Sequence, residues 1–256
     1  MSATLKGKHA IVTGGGKGIG AAVAQALAAQ GANVSLLGRG PQPLAAQAKK
    51  LGAHAFAHPC DVTSESSIAK AFAACFQHFG DPYILVNNAG QAEAAGLAEM
   101  SRELWDRMIA VNLTGTFLCT QQVIGKMTAA RAGRIVNVAS TAGLKGYAKI
   151  SAYCASKHGV VGFTRALAQE TVKLGITVNA VCPGYTDTEM VQRGIQNLQS
   201  ALGKSAEEAK QMLLRGNPRG TFITPEEVAA AVVWLCSPEA SALTGLAIPI
   251  AAGEAM

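Results

Sequence analysis

Short runs of aliphatic and β-branched residues alternate with longer, alanine-rich amphipathic segments along almost the whole chain, and that rhythm leaves few folds open. The runs at 9–13, 33–37, 54–58, 83–87, 134–140, 177–181 and 246–250 are mostly apolar rather than alternating, as strands buried on both faces should be. Between them, helices are predicted over 18–30, 43–51, 65–79, 101–129, 151–173 and 225–236. Thr224 before Pro225 marks one helix start, with threonine as N-cap and proline in the first turn. Repeated strand-helix-strand units build a parallel sheet covered by helices on both faces, so the expected fold is α/β, Rossmann-like and doubly wound, with about seven strands. No linker interrupts the 256 residues, and one domain over 1–256 is expected. The alternation fails once. Residues 185–220, rich in Gln, Lys and Glu, insert a helical excursion between two strands, the expected place for a substrate lid.

The first strand runs into Thr13-Gly-Gly-Gly-Lys-Gly-Ile-Gly20, and a helix of small and apolar residues follows. Glycines let the backbone turn sharply and approach a pyrophosphate, while the helix N-terminus offers free N–H groups and partial positive charge. A glycine loop in this context points to a dinucleotide. At the end of the second strand an acidic residue would hold the adenine ribose diol and repel a 2′-phosphate. Here Leu36-Leu-Gly-Arg-Gly40 offers no carboxylate, and Arg39 with Lys17 can clamp a 2′-phosphate. NADP(H) is therefore the preferred cofactor, with NAD(H) still open if Arg39 only stacks on adenine.

Tyr153 and Lys157 stand four residues apart in Ser151-Ala-Tyr-Cys-Ala-Ser-Lys157, one turn of a predicted helix, so they share a face. A free phenol titrates near 10. A cation beside it is expected to lower that value and make tyrosine a usable acid or base. Ser140, at the end of the apolar run 134–140, would bring a second hydroxyl to the same place.

Composition narrows the partners. Hydrophobic residues make up 49% of the chain, charged residues 15%, and there are 28 glycines, as in a compact α/β protein. The six cysteines form no Cys-x-x-Cys pair and have no histidines at ligand spacing, so they read as buried hydrophobes and no metal is expected. A net charge of +6 without long basic runs, and an aromatic content of 5%, disfavour nucleic acid and point to small polyanions: a dinucleotide, coenzyme A or an acidic carrier protein. The opening residues 1–8 lack the apolar core of a signal peptide, and no later stretch is long enough to cross a bilayer, so a cytoplasmic protein is expected.

Taken together, the motifs resemble the short-chain dehydrogenase/reductase family over nearly the whole chain. The matching pieces are the loop 13–20, Asp61-Val62, Asn87-Asn-Ala-Gly90, Asn112 in Val111-Asn-Leu-Thr-Gly115, Ser140, Tyr153 with Lys157, and Pro183-Gly184 followed by Thr186 and Thr188. The resemblance implies a cofactor held by Gly14, Gly16, Lys17, Gly18, Ile19 and Gly20. It implies that Asp61 bonds the adenine amine with Val62 beside it, and that Asn88, Ala89 and Gly90 line the adenosine ribose. Lys157 would hold the nicotinamide ribose while tuning Tyr153, and Pro183, Gly184, Thr186 and Thr188 would meet the nicotinamide end. Asn112 would hold a water relaying protons from Lys157. Structural alternatives stand beside these: Asn88 tying strands together, Asn112 as a polar kink, Thr188 capping a helix near Glu189.

The nearest resemblance is to β-ketoacyl carrier-protein reductases, 3-hydroxyacyl-CoA dehydrogenases and polyketide ketoreductases. It implies hydride transfer to a 3-oxoacyl thioester on CoA or a carrier protein, by a homotetramer. A free secondary alcohol, cyclic ketone or sugar is the alternative substrate. Arg193, Lys204, Lys210, Arg215 and Arg219 in the excursion, and Arg134 and Lys173 outside it, are candidate contacts for the acyl carrier. One departure stands out: the tail has Ala252 where the family usually has a first glycine, which puts the local turn in question.

Overall fold

The computed structural model describes residues 4–255; the first three residues of the opening segment, and Met256, lie outside them. Seven strands form one sheet: β1 His9–Thr13, β2 Asn33–Gly38, β3 Ala55–Pro59, β4 Ile84–Asn87, β5 Gly133–Val138, β6 Ile176–Pro183 and β7 Ala247–Ile250. Their order is β3-β2-β1-β4-β5-β6-β7, and every pairing is parallel. Chain order reverses at β1, whose neighbours are β2 and β4. Carboxyl ends of parallel strands beside such a reversal form the crevice in which doubly wound sheets bind ligands.

Alternation along each strand explains why both faces need apolar residues. On β1, Ala10 and Val12 point to one face and Ile11 to the other, and all three are fully buried. The first face packs on α1 Gly18–Ala29 and α9 Pro225–Cys236 through Val23, Leu27, Val232 and Leu235. The second packs on α3 Glu65–Phe79, α5 Gly115–Ala130 and α6 Ser151–Thr171 through Phe72, Val123 and Leu167. α2 Pro41–Leu51 and α4 Arg102–Ile109 complete the layers before the excursion. At a transfer energy of about 25 cal/mol per Å² of buried apolar surface, these two interiors dominate what holds the sheet together.

The predicted helix over 101–129 is divided. α4 ends at Ile109, a π-helical turn runs from Ala110 to Thr114, and α5 begins at Gly115. Asn112 lies in that turn, buried. β5 stops at Val138, two residues before Ser140, which instead heads a short 3-10 turn over Thr141–Gly143. The excursion contains two helices, α7 Glu189–Leu202 and α8 Ala206–Leu214; Ser205 and Thr224 each form a capping box at the starts of α8 and α9.

The tail turn forms despite the alanine. Ala252 adopts φ +48° and Gly253 φ +92°. A Cβ in the left-handed region costs roughly 1 kcal/mol that glycine does not pay, so Ala252→Gly should raise the unfolding free energy by about that much in urea denaturation. A loss of stability would show that the Ala252 methyl packs more strongly than its backbone is strained.

Candidate active site

The loop 13–20 is a cradle that side chains would fill. A Cβ on Gly14 would meet Asn88 Nδ2 at 2.8 Å, one on Gly16 would press on Leu44 N at 3.2 Å, and one on Gly20 would collide with the Gly14 carbonyl oxygen. Gly18, at φ +51°, lies against Thr188. Lys17 is the N-cap of α1 but makes no side-chain cap bond, so the first-turn N–H groups stay available to an anion. Backbone close approach combined with uncapped donors fits a dinucleotide pyrophosphate. Ile19 is half-buried against the α1 face of the core.

The sequence-predicted residues around the cradle come together with different strengths. Asn88 Nδ2 donates to the main-chain oxygens of Thr13 (3.0 Å) and Gly14 (3.3 Å), while the Thr13 hydroxyl accepts from the N–H groups of Asn88 and Ala89, both at 3.0 Å. The strand-tying alternative is therefore what the Asn88 amide does. Asp61 Oδ1 accepts from both the N–H (2.9 Å) and hydroxyl (2.7 Å) of Thr63, which hold its carboxyl below its ordinary value, and Arg39 adds to that effect. Val62 is buried against Gly115. Arg39 is exposed at the end of β2, on the Asp61 side.

Lys17 departs from the expected clamp. Its ammonium pairs with Glu189 at 2.9 Å, at the start of α7, rather than joining Arg39. Both partners are more than half exposed, so the pair contributes about 0–1 kcal/mol and yields readily to a competing anion. Thr188 occupies the N-cap position of α7 without capping it; its hydroxyl donates to the Thr186 carbonyl at 3.2 Å. Thr186 is buried and donates to the Gly184 carbonyl at 3.0 Å, just beyond Pro183 at the end of β6.

Ser140, Tyr153 and Lys157 converge past the carboxyl end of β5. The Ser140 hydroxyl oxygen accepts from Ala142 N at 3.1 Å, which leaves its proton to donate elsewhere, and it lies beside the Tyr153 phenol. Lys157 is buried at 4% exposure with no carboxylate partner. Its ammonium donates to the Val138 carbonyl at 2.8 Å and lies 5.7 Å from the centroid of the Tyr153 ring. Gly90 closes the set: a Cβ there would stand 3.1 Å from Asn112 Oδ1 and 3.6 Å from Lys157 Nζ.

The electrostatics differ from the sequence expectation. Burial pushes the Tyr153 phenol up to about 12, and the Ser140 hydrogen bond offsets only part of that. Burial also brings Lys157 down to about 8. The ammonium spends its contact on Val138, so loss of water outweighs any cation effect on the phenol. A phenol raised in this way keeps its proton at pH 7.

Asn112 is more occupied than a water-holder alone would be. Its Oδ1 accepts from Gln91 N at 2.9 Å, and its Nδ2 donates to Gln91 O (3.0 Å) and Ser156 Oγ (3.1 Å). The side chain clamps the loop after Gly90 to the residue before Lys157. Its main-chain oxygen accepts from the Thr116 hydroxyl at 2.9 Å.

Several candidate carrier contacts are otherwise engaged. Lys204, Lys210 and Arg219 pair with Glu208, Glu207 and Glu227, and Arg193 donates to the Glu189 carbonyl. Arg134 is buried at the amino end of β5, the edge of the sheet opposite Ser140, and Lys173 gives its carbonyl to Arg131 at 2.8 Å. Among the described residues no cluster of His, Cys, Asp or Glu is arranged to hold a metal, the cysteines are free and buried, and no helix is long and apolar enough to cross a membrane. The sequence reading passed over Tyr147, Tyr185 and Glu254, which gather beside Thr141 and Gly184.

Comparison with known proteins gives the same picture. The family model for short chain dehydrogenase matches residues 8–199. Over 249 residues, 95% of this chain and 92% of the relative, the sequence is 41% identical to the granaticin polyketide synthase putative ketoacyl reductase 1 of Streptomyces violaceoruber. It is 38% identical over 257 residues, 99% of both chains, to a 3-oxoacyl-(acyl-carrier-protein) reductase of Aquifex aeolicus. The crystal structure of an actinorhodin polyketide ketoreductase variant with NADPH superposes with a TM-score of 0.94 at 39% identity, covering 100% of this chain and 99% of that one. A glycine cradle, a Ser-Tyr-Lys set whose lysine is buried, and full-length likeness agree, and the chain belongs to the short chain dehydrogenase family of nicotinamide-dependent oxidoreductases.

Proposed function

We propose that the protein is a cytoplasmic NADPH-dependent reductase of a 3-oxoacyl thioester, carried on CoA or an acyl carrier protein. The observation that carries this reading is Tyr153 placed beside Ser140 and one helical turn from a buried Lys157, next to a cradle for a dinucleotide. The full-length relatives named as ketoacyl and 3-oxoacyl reductases support the substrate class. One relative named D-threitol dehydrogenase, 38% identical, keeps a free alcohol as the second reading.

When bound, the reduced nicotinamide supplies hydride to the carbonyl carbon. Tyr153 gives its proton to the carbonyl oxygen, and the Ser140 hydroxyl turns its proton from the phenol to that same oxygen as charge develops on it. Lys157 keeps two N–H donors beyond the one on Val138, enough to grip ribose hydroxyls while its charge stabilises the phenolate left behind. Asn112 positions α6 through Ser156, and its main-chain oxygen holds the water that returns a proton toward Lys157. The α1 N-terminus with Gly14, Gly16, Gly18, Ile19 and Gly20 would hold the pyrophosphate. Asp61 and Val62 would take the adenine, Asn88, Ala89 and Gly90 its ribose, and Pro183, Gly184, Thr186 and Thr188 the nicotinamide end. Arg39, which no hydrogen bond or ion pair engages among the described residues, selects the 2′-phosphate, with Lys17 joining once it leaves Glu189. Helices α7 and α8 serve as the lid over the substrate. Phe117 on α5 and Trp234 on α9, exposed at 41% and 50%, suit the interfaces of a homotetramer.

Tyr153→Phe should bind NADPH as the wild type does in a fluorescence titration, yet lose turnover of acetoacetyl-CoA by about 100- to 10,000-fold. A rate near wild type would overturn the mechanism, and an inert thioester with a rapidly reduced simple ketone would favour the second reading.

The folded Lys157 titrates near 8 and is charged below that value, so the rate of reduction should fall as pH rises through about 8. In Lys157→Arg the guanidinium stays charged, and whatever its plateau, that inflection should vanish from the pH profile. Arg39→Glu should raise the Michaelis constant for NADPH and lower it for NADH; unchanged constants would remove Arg39 from cofactor choice.

A further inference from the structure

Glu254 is the most unusual charge-bearing residue outside the set described above. It lies two residues from the end of the chain, yet it is only 6% exposed. One carboxylate oxygen accepts from the Tyr147 hydroxyl, which itself accepts from the Thr141 hydroxyl, 2.8 Å away. The Lys145 ammonium donates to the Glu254 main-chain oxygen, not to the carboxylate. The second carboxylate oxygen is buried and has no hydrogen-bond partner among the described residues. It stands over Gly184, where a Cβ would meet it at 2.6 Å, and Gly216, just past α8, packs on its stem.

Three segments therefore converge on this carboxylate: the loop that begins at Ser140, the loop that leaves β6, and the carboxyl end of the lid. Tyr185 lies within electrostatic reach of both Glu254 and Tyr153, and its phenol is raised by burial and then by the Glu254 charge. A buried carboxylate oxygen without a donor is costly, and a carboxylate only accepts hydrogen bonds. A substrate end that brings a donor, or no charge, is compatible with it; a second carboxylate is repelled in surroundings that screen charge poorly.

From this geometry we infer that Glu254 is a specificity residue, a charge filter that admits neutral or hydroxyl-bearing 3-oxo substrates and rejects free 3-oxo acids. The inference rests on the proposed site and narrows its substrates to esters, thioesters and hydroxylated ketones. The Tyr147 hydroxyl holds the carboxylate, the Lys145 ammonium holds the Glu254 main chain, and the turn at Ala252 and Gly253 delivers the residue.

The test compares two substrates that differ in charge, ethyl acetoacetate and acetoacetate, on one preparation of enzyme with NADPH. The ratio of their kcat/KM values does not depend on how much of the protein is folded. Glu254→Gln, which keeps the shape and removes the charge, should move that ratio toward acetoacetate by about tenfold, equivalent to 1.4 kcal/mol. Glu254→Ala should move it the same way. A shift smaller than about fivefold in both variants, a shift toward the ester, or no acetoacetate turnover in any form overturns the filter. A third substrate, the neutral thioester acetoacetyl-N-acetylcysteamine, separates this from the thioester reading. If the wild type ignores it while the ester-to-acid ratio still responds to Glu254→Gln, the thioester reading fails and the filter stands.

Discussion

The clasp between Thr13 and Asn88 is the interaction through which the two halves of the site are one object. Parallel pairing of β1 with β4 sets their carboxyl ends side by side, and four hydrogen bonds lock the glycine loop to the loop that follows β4. From there contact runs on through Gly90 to Asn112 and Lys157, from Lys157 to the Val138 carbonyl, and from that strand end to Ser140 and Tyr153. Disturbing the clasp would move the hydride side and the proton side relative to each other. Misplacement of reacting groups by even 1 Å can cost about 100-fold in rate.

Burial sets the chemistry of the proton side more than pairing does. Lys157 has no carboxylate partner among the described residues, only a main-chain oxygen, and burial brings it down to about 8, so it is still mostly charged at pH 7 and loses its charge just above. Tyr153 is shifted the other way, its phenol pushed up to about 12. The two shifts have one cause, loss of water, and opposite signs: the neutral phenol and the neutral amine are both favoured. A carboxylate beside Lys157 would have fixed its charge and competed for its remaining donors.

Much of this was legible in the residues because parallel sheets write a strong pattern. All seven strands and the helix α3 fell within two residues of their observed bounds, since continuous aliphatic runs and helical spacing report burial directly. Ser140, Tyr153, Lys157 and the glycine loop were legible because spacing alone puts them on a strand end, one helical face and a turn. What escaped depends on distant partners. The sign of the Tyr153 shift follows from how deeply α6 is buried, and Lys17 pairs with Glu189, a residue 172 positions away. Glu254 gave no sign beyond being an isolated carboxylate, and Arg134, a candidate carrier contact at the start of the run 134–140, proves buried at the amino end of its strand.

The π-helical turn at Asn112 has a geometric consequence for the rod formed by α4 and α5. One extra residue in a turn rotates everything beyond it by about 100° relative to an uninterrupted helix. The rod can thus show Leu104 and Met108 to Ala152, beside Tyr153 in the chain, and then turn Cys119, Val123 and Met127 into the sheet. A straight helix of the same sequence would have to expose one of these stripes. Deleting a single residue between Ala110 and Thr114 would act as a change of phase, leaving both halves helical and setting one of them facing the wrong way.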